Sequence, residues 1–238
     1  NINKGRQFID SETVVVSRLG NASQIDVSIG DNHYLIGGVE LQSDLVDGQP
    51  DTVLYGHHTA WNIGAFIQDQ MMLGKNWIVT AGIRIDQYKI THTFSEANFS
   101  PKIAAVFQPS DKVAVRALLA RAFRNPSIAE RYTKFEQGGG LTFRPNPLLR
   151  AEKLVLSAEI GAKINAGKKI KFDAAVYFNH YKDLIYYRQR FVPGEELLFE
   201  VINLNKAIMQ GFEISTDYMP LSWLNFKAGY TFLDARDA

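Results

Sequence analysis

The residues best placed to do chemistry are arginines and aromatics in the stretch 124–152. Arg131, Tyr132, Phe135, Phe143 and Arg144 are arranged there around Gly138-Gly139-Gly140. Aromatic faces beside guanidinium groups suit a flat, anionic ligand, held by stacking and cation–π attraction. Tyr187 and Arg190, in the run Tyr186-Tyr187-Arg188-Gln189-Arg190-Phe191, repeat that chemistry on a second segment. The plainer alternative is a loop whose aromatics pack on one another. Other chemistries are poorly served. The chain has no cysteine, which excludes disulfides, thiolate metal sites and cysteine nucleophiles. His57 and His58 are adjacent, so on a strand they face opposite sides and cannot chelate one ion. His33, His92 and His180 are isolated in sequence. No metal site and no resident cofactor are therefore expected. No Ser-His-Asp order or close carboxylate pair points to catalysis, so no catalytic residue is assigned and an enzyme is not expected.

Charge narrows the partners. Lys plus Arg number 26 and Asp plus Glu 25, leaving a net charge of +1. Nucleic-acid binding by bulk charge needs a basic excess or stripe, which this balance denies. The first ten residues lack the apolar core and small-residue cleavage site of a signal peptide. No run of about 18 apolar residues offers a membrane-spanning helix.

The elements that must position these side chains are strands. Leu154, Leu156, Ala158, Ile160, Ala162 and Ile164 alternate with Val155, Ser157, Glu159, Gly161 and Lys163. The same period of two runs through Trp77–Gln87, Lys169–His180 and Trp223–Leu233. Such a period places one apolar and one polar face on each strand. Weaker versions cover Gln24–Ile29, Leu35–Leu41, Thr59–Met71, Phe99–Gln108, Val113–Phe123 and Lys206–Met219, with Thr13–Leu19 the faintest. That gives about eleven strands and no helix longer than a turn or two. Tight Gly, Pro, Asn and Asp turns (Gly30–His33, Gly74–Asn76, Pro109–Asp111, Ala166–Lys168, Pro220–Ser222) alternate with long connections at Leu45–His57, Lys89–Asn98, Arg124–Glu152 and Asp183–Asn205. Short turns at one end and long loops at the other suit an up-and-down antiparallel barrel that crosses a membrane. The strands, at about 10 to 13 residues, exceed the usual 5 or 6 of a soluble sandwich and reach the roughly 9 to 11 that a crossing needs. Aromatics near strand ends, among them Trp77, Tyr88, Tyr181, Tyr218 and Trp223, would form interface girdles.

Six segments, in order, resemble the barrel of TonB-dependent outer-membrane receptors. Phe66-Ile67-Gln68-Asp69-Gln70 with Asn76–Asp86 resembles the family's hairpin ending in glycine, arginine and aspartate, and Phe99-Ser100-Pro101-Lys102 the strand start after it. Ala120–Tyr132, with Phe123-Arg124-Asn125-Pro126 at its centre, is similar to the strand-to-loop segment. Asn146–Lys153 resembles the asparagine-proline lead into the next strand, with Ala151 where the family usually has proline. Phe178–Ile185 and Asn203–Glu213 match the two strands that follow. Within them, Ser127-Ile128-Ala129-Glu130 reads as a one-turn helix with a capping box, and Gly211 sits where a larger side chain would crowd its surroundings. Arg84, Glu130, Arg131 and Glu152 are expected to be hydrated or paired lumenal charges.

The resemblance implies an all-β, antiparallel up-and-down transmembrane barrel in the bacterial outer membrane. It implies TonB-energised uptake of a scarce nutrient, with a ferric siderophore or other metal chelate as the leading candidate. Its partners would be outer-membrane lipid, the TonB complex, engaged through a segment before Asn1, and the small-molecule ligand, but no nucleic acid. A passive porin and a soluble β-sheet binding module are the alternatives. About eleven strands is half of the 22 in plugged transporters. Residues 1–238 are therefore expected to be a barrel segment, with the plug and the remaining strands outside it.

Overall fold

A computed structural model describes residues 13–49, 55–137, 141–167, 169–191 and 197–237. Nearly all of them belong to one antiparallel sheet. Its long strands are β1 (Thr13–Ile29), β2 (His33–Gln49), β3 (Gly56–Leu73), β4 (Trp77–Ile90), β5 (Phe94–Ser110) and β6 (Val113–Arg124), followed after an insertion by β9 (Glu152–Ala166), β10 (Ile170–Phe191), β11 (Leu197–Leu221) and β12 (Leu224–Asp237). Neighbours in sequence are neighbours in the sheet, the order of an up-and-down wall. The insertion carries the short helix α1 (Ile128–Tyr132) and two short strands, β7 (Phe135–Gln137) and β8 (Leu141–Arg144).

The expected architecture holds, and the differences are local. Thr13–Leu19 and Gln24–Ile29 run together as β1, because Gly20 to Ser23 keep their pairing with Gln42 to Val39. Tertiary pairing overrides the turn tendency of Gly and Asn there. The connection 89–98, expected to be long, closes over Thr91, His92 and Thr93, with His92 at φ 65°. Strand alternation continues on both sides of that turn, since Tyr88 pairs with Glu96 and Ile90 with Phe94. The stretch 183–205, expected to be a long connection, is mostly strand: β10 and β11 stay paired out to Phe191 and Leu197.

Burial shows what the sheet is for. Large apolar side chains stay exposed along one face of strand after strand, including Leu41, Ile63, Ile83, Ile103, Leu119, Ile160, Val176 and Phe226. No second layer covers that face among the described residues, as a soluble sandwich would require. A bare apolar face of this extent fits contact with lipid.

The opposite face is polar and ordered by charge. Arg84 bridges Glu40 at 2.7 Å and Asp86 at 2.6 Å. Arg116 bridges Glu159 at 2.9 Å and Asp173 at 3.0 Å. These long side chains lie across glycines. A Cβ on Gly161 would stand 2.7 Å from the Arg116 guanidinium carbon, and one on Gly211 2.7 Å from the Tyr177 hydroxyl and inside contact distance of the Phe232 carbonyl. The crowding expected at Gly211 is real.

Candidate functional site

At the long-loop end, the insertion between β6 and β9 folds into two arms. Asn125-Pro126 ends β6, since the residue before proline is steered away from helix. Ser127 then caps α1: its hydroxyl accepts from the Glu130 backbone N–H, and the Glu130 carboxylate accepts from the Ser127 N–H, at 3.1 and 2.8 Å. The reciprocal pair satisfies two N–H groups that a one-turn helix would otherwise leave open.

The first arm places α1 against the polar face of β2 to β5. Ile128 joins Val46, Ala60 and Ile90 in a small buried core, flanked by Tyr55, Tyr88, Phe94 and Tyr132. Tyr132 stacks on His58 with ring centroids 4.0 Å apart and planes at 16°. His58 donates from Nε2 to the Tyr55 carbonyl at 2.7 Å. Burial pushes its imidazole below the ordinary value, the Tyr55 bond opposes this, and the nearby charges of His57 and Arg131 add to the lowering. His57 is exposed and His58 half-buried, on opposite faces as their adjacency requires.

Arg131 differs from the expectation of a hydrated or paired charge. Its side chain is only 1% exposed. Its guanidinium lies 4.3 Å from the Phe94 centroid and donates to the carbonyl oxygens of Leu149 and Pro147. A buried cation needs partners, and here backbone oxygens and an aromatic face supply them. Arg131 ties the far end of the insertion down onto its first turn.

The second arm lies along β11. Strand β8 pairs parallel to Leu197–Glu200, and β7 pairs with β8, matching Phe135 with Phe143. Phe143 stacks on Phe199 at 6.0 Å and packs on the buried cluster of Leu149, Ile185 and Val201. Asn146 donates to the Val201 carbonyl at 2.9 Å, and Asn203 exchanges hydrogen bonds with the Arg150 backbone at 2.9 and 3.1 Å. Arg150 reaches Asp183 at 2.6 Å. The insertion is therefore pinned rather than free.

Of the residues singled out in sequence, Arg144 and Arg190 meet at Glu200, whereas Phe143, next to Arg144 on β8, turns to the opposite face, onto Phe199. Arg144 is exposed and faces Glu200 across the β8–β11 ladder. Arg190 meets Glu200 at 2.9 Å, and Arg188 holds the same carboxylate. The arginine bonds hold the Glu200 carboxyl below its ordinary value, led by that from Arg188. Tyr187 is 56% exposed, and its hydroxyl is pushed up by partial burial and then by the nearby Glu130 charge, against Arg124. Tyr132 belongs to the first arm. Phe135 is placed by its backbone alone, and Gly138-Gly139-Gly140 lie outside the described residues. Sequence reasoning missed His58, Phe94 and Arg124. Arg124 links α1 to the start of β9 by pairing with Glu130 at 2.8 Å and Glu152 at 3.4 Å. The six-residue spacing of Arg124 and Glu130 across a Pro turn gave no signal for this.

A one-layer wall with a lipid-type face, a charged face and a folded loop at one end defines a membrane β-barrel portion. The chain belongs to the TonB-dependent receptor-like β-barrel family, whose model matches residues 3–238. That family is one of bacterial outer-membrane transporters. No curated protein matches the chain in sequence. Among solved structures it is similar to the siderophore receptor PirA of Pseudomonas aeruginosa, at 17% identity and a TM-score of 0.82 over 95% of this chain and 44% of that one. It is also similar to the FrpB iron transporter of Neisseria meningitidis, at 16% identity and a TM-score of 0.71 over 94% and 36%. The copper transporter OprC matches at 18% identity and a TM-score of 0.76 over 95% and 38%. The chain thus spans less than half of these receptors, and the likeness concerns the fold.

Proposed function

We propose that residues 1–238 are the barrel segment of a larger outer-membrane receptor that takes up a ferric siderophore or another metal chelate, energised by the TonB complex. The short turns face the periplasm and the folded insertion faces outward. The observation that carries the reading is the insertion itself, pinned at the mouth with Arg144 of β8 and Arg190 of β10 both at Glu200 and with Arg131 locking it from within. Guanidinium groups around aromatic faces recognise a flat, anionic chelate by charge and stacking. Arg131 acts as a positioning residue, and Tyr132 as part of the stack that seats α1. The metal arrives as cargo inside its chelate, so no protein ligand to it is required. Likeness to a siderophore receptor, an iron transporter and a copper transporter supports the class of substrate.

The test uses the whole receptor in iron-starved cells lacking their other siderophore receptors. Uptake of a radiolabelled ferric catecholate should depend on the receptor and on TonB. Arg144→Ala with Arg190→Ala should weaken binding roughly tenfold or more, the scale of losing two charge-assisted contacts. Uptake that persists without TonB would instead mark a passive pore.

A further inference from the structure

Across the described ladders, a Lys or Arg that directly faces another charged residue almost always faces an acid. Arg18 lies opposite Asp44, Lys163 opposite Asp173, both Lys171 and Lys227 opposite Asp217, and Arg188 opposite Glu200. Both exceptions involve Lys182, which faces Lys206 on β11 and Lys153 on β9. Like charges directly opposite destabilise a strand pair, their Cβ atoms standing about 5 Å apart. Lys153 is relieved by Glu96 at 2.7 Å. Lys182 and Lys206 are both exposed, and neither side chain makes a hydrogen bond or ion pair among the described residues.

Their side of the wall identifies what could neutralise them. Counting by twos down β10, Lys182 shares a face with His180, Phe178, Val176, Ala174 and Phe172, and Lys206 shares it with Phe212 and Ile214. This is the apolar, lipid-type face, not the one holding Arg116 with its carboxylates. Phe172 to Lys182 is ten residues, which at strand rise and barrel tilt spans about 25 Å, the height of a barrel's apolar band. The two lysines therefore stand at the upper rim of that band, on the loop side. Arg236 flanks them but already pairs with Asp234 at 2.8 Å. Glu200, farther out, is held by Arg188 and Arg190.

The geometry points to a lipid-binding site: Lys182 and Lys206 together clasp the phosphate of an anionic lipid headgroup in the outward-facing leaflet. Paired ammonium groups beside an apolar wall match a phosphate joined to acyl chains. A lone ion would be served equally well by lysines facing water, and nothing would then favour a position level with the end of the hydrocarbon. The site rests on the outer-membrane orientation proposed above, and it is separate from the mouth.

The experiment takes the whole receptor, purified in detergent, and measures retention of diphosphoryl lipid A by native mass spectrometry. Heat-modifiable migration is recorded alongside to show that the barrel is folded. Wild type should hold the lipid, and K182Q/K206Q should weaken it at least tenfold, the scale of two interfacial cations. The control K163Q/K171Q, which neutralises two lysines on the charged face, should leave it unchanged. Equal retention by K182Q/K206Q overturns the site. Displacement by millimolar inorganic phosphate, or equal retention of zwitterionic phosphatidylethanolamine, overturns its assignment to an anionic lipid. A barrel that never becomes heat-modifiable in wild type counts against the membrane reading rather than against the lysines.

Discussion

The wall and the mouth use arginine in opposite ways. On the wall, Arg116 lies over Gly161 with a side chain 37% exposed, flanked by Glu159 and Asp173. At the mouth, Arg131 is sealed away at 1% exposure and holds backbone carbonyls. The first arrangement is a hydrated ion pair, in which water screens the charge and carries much of its solvation. In the second, removing the cation would leave oxygens with neither water nor a donor. The same side chain is thus dispensable in one setting and structural in the other, and the space made by glycine separates the cases.

The comparison can be broken at several levels. The largest effect is expected at Gly211, where any side chain meets the Phe232 backbone. Gly211→Val should cost on the order of 3 kcal/mol or more and abolish the heat-modifiable band on refolding. Normal refolding would mean that the glycine seats are incidental. Next comes Arg131→Ala, expected to cost about 3 kcal/mol. It should expose the 125–151 insertion to limited proteolysis while the strands remain intact. Arg131→Lys should not rescue it, because an ammonium cannot fork to two carbonyls while covering an aromatic face. An insertion equally resistant in both variants would remove Arg131 from its positioning role. Arg116→Gln should cost under about 1 kcal/mol, shrinking further in high salt. A larger loss would show that the wall's ion pairs are as structural as the mouth's.

The smallest effect is a pH dependence at Glu200. Its carboxyl is depressed below the ordinary 4.5, so its contribution is complete above that value and fades as pH falls through the lower, folded one. Hydrogen exchange at Phe199 to Val201 should accelerate in that acidic window. Glu200→Gln should flatten the response, and an unchanged profile would detach Glu200 from the order of the β8–β11 junction.

Much of the fold was legible because a strand with one bare apolar face must alternate, as Trp77–Gln87 and Leu156–Ile164 do, while Leu154 leaves that face where β9 shifts register against β6 and β10. The capping box at Ser127 and Glu130 and the crowding at Gly211 were legible for equally local reasons. The turn at Thr91–Thr93 was not, since polar residues beside strands resemble a loop until partners are known. The burial of Arg131 was hidden because its partners are carbonyls 16 and 18 residues away, and a carbonyl belongs to every sequence. The conflict between Lys182 and Lys206 exists only in register, which single-strand periodicity does not report.

The junction of β8 with β11 also imposes an order in time. Strand β8 precedes β9, β10 and β11 in the chain but lies on the last of them, and Asn146 meets Val201 across 55 positions. Its pairing surface does not exist until β10 and β11 have zipped together, whereas each hairpin can form from near neighbours. Contacts between distant residues form late because closing the intervening chain costs entropy first. The mouth is thus the last part of this segment to be assembled, and any age of the protein before that moment is one in which the wall is standing and the entrance is still undone.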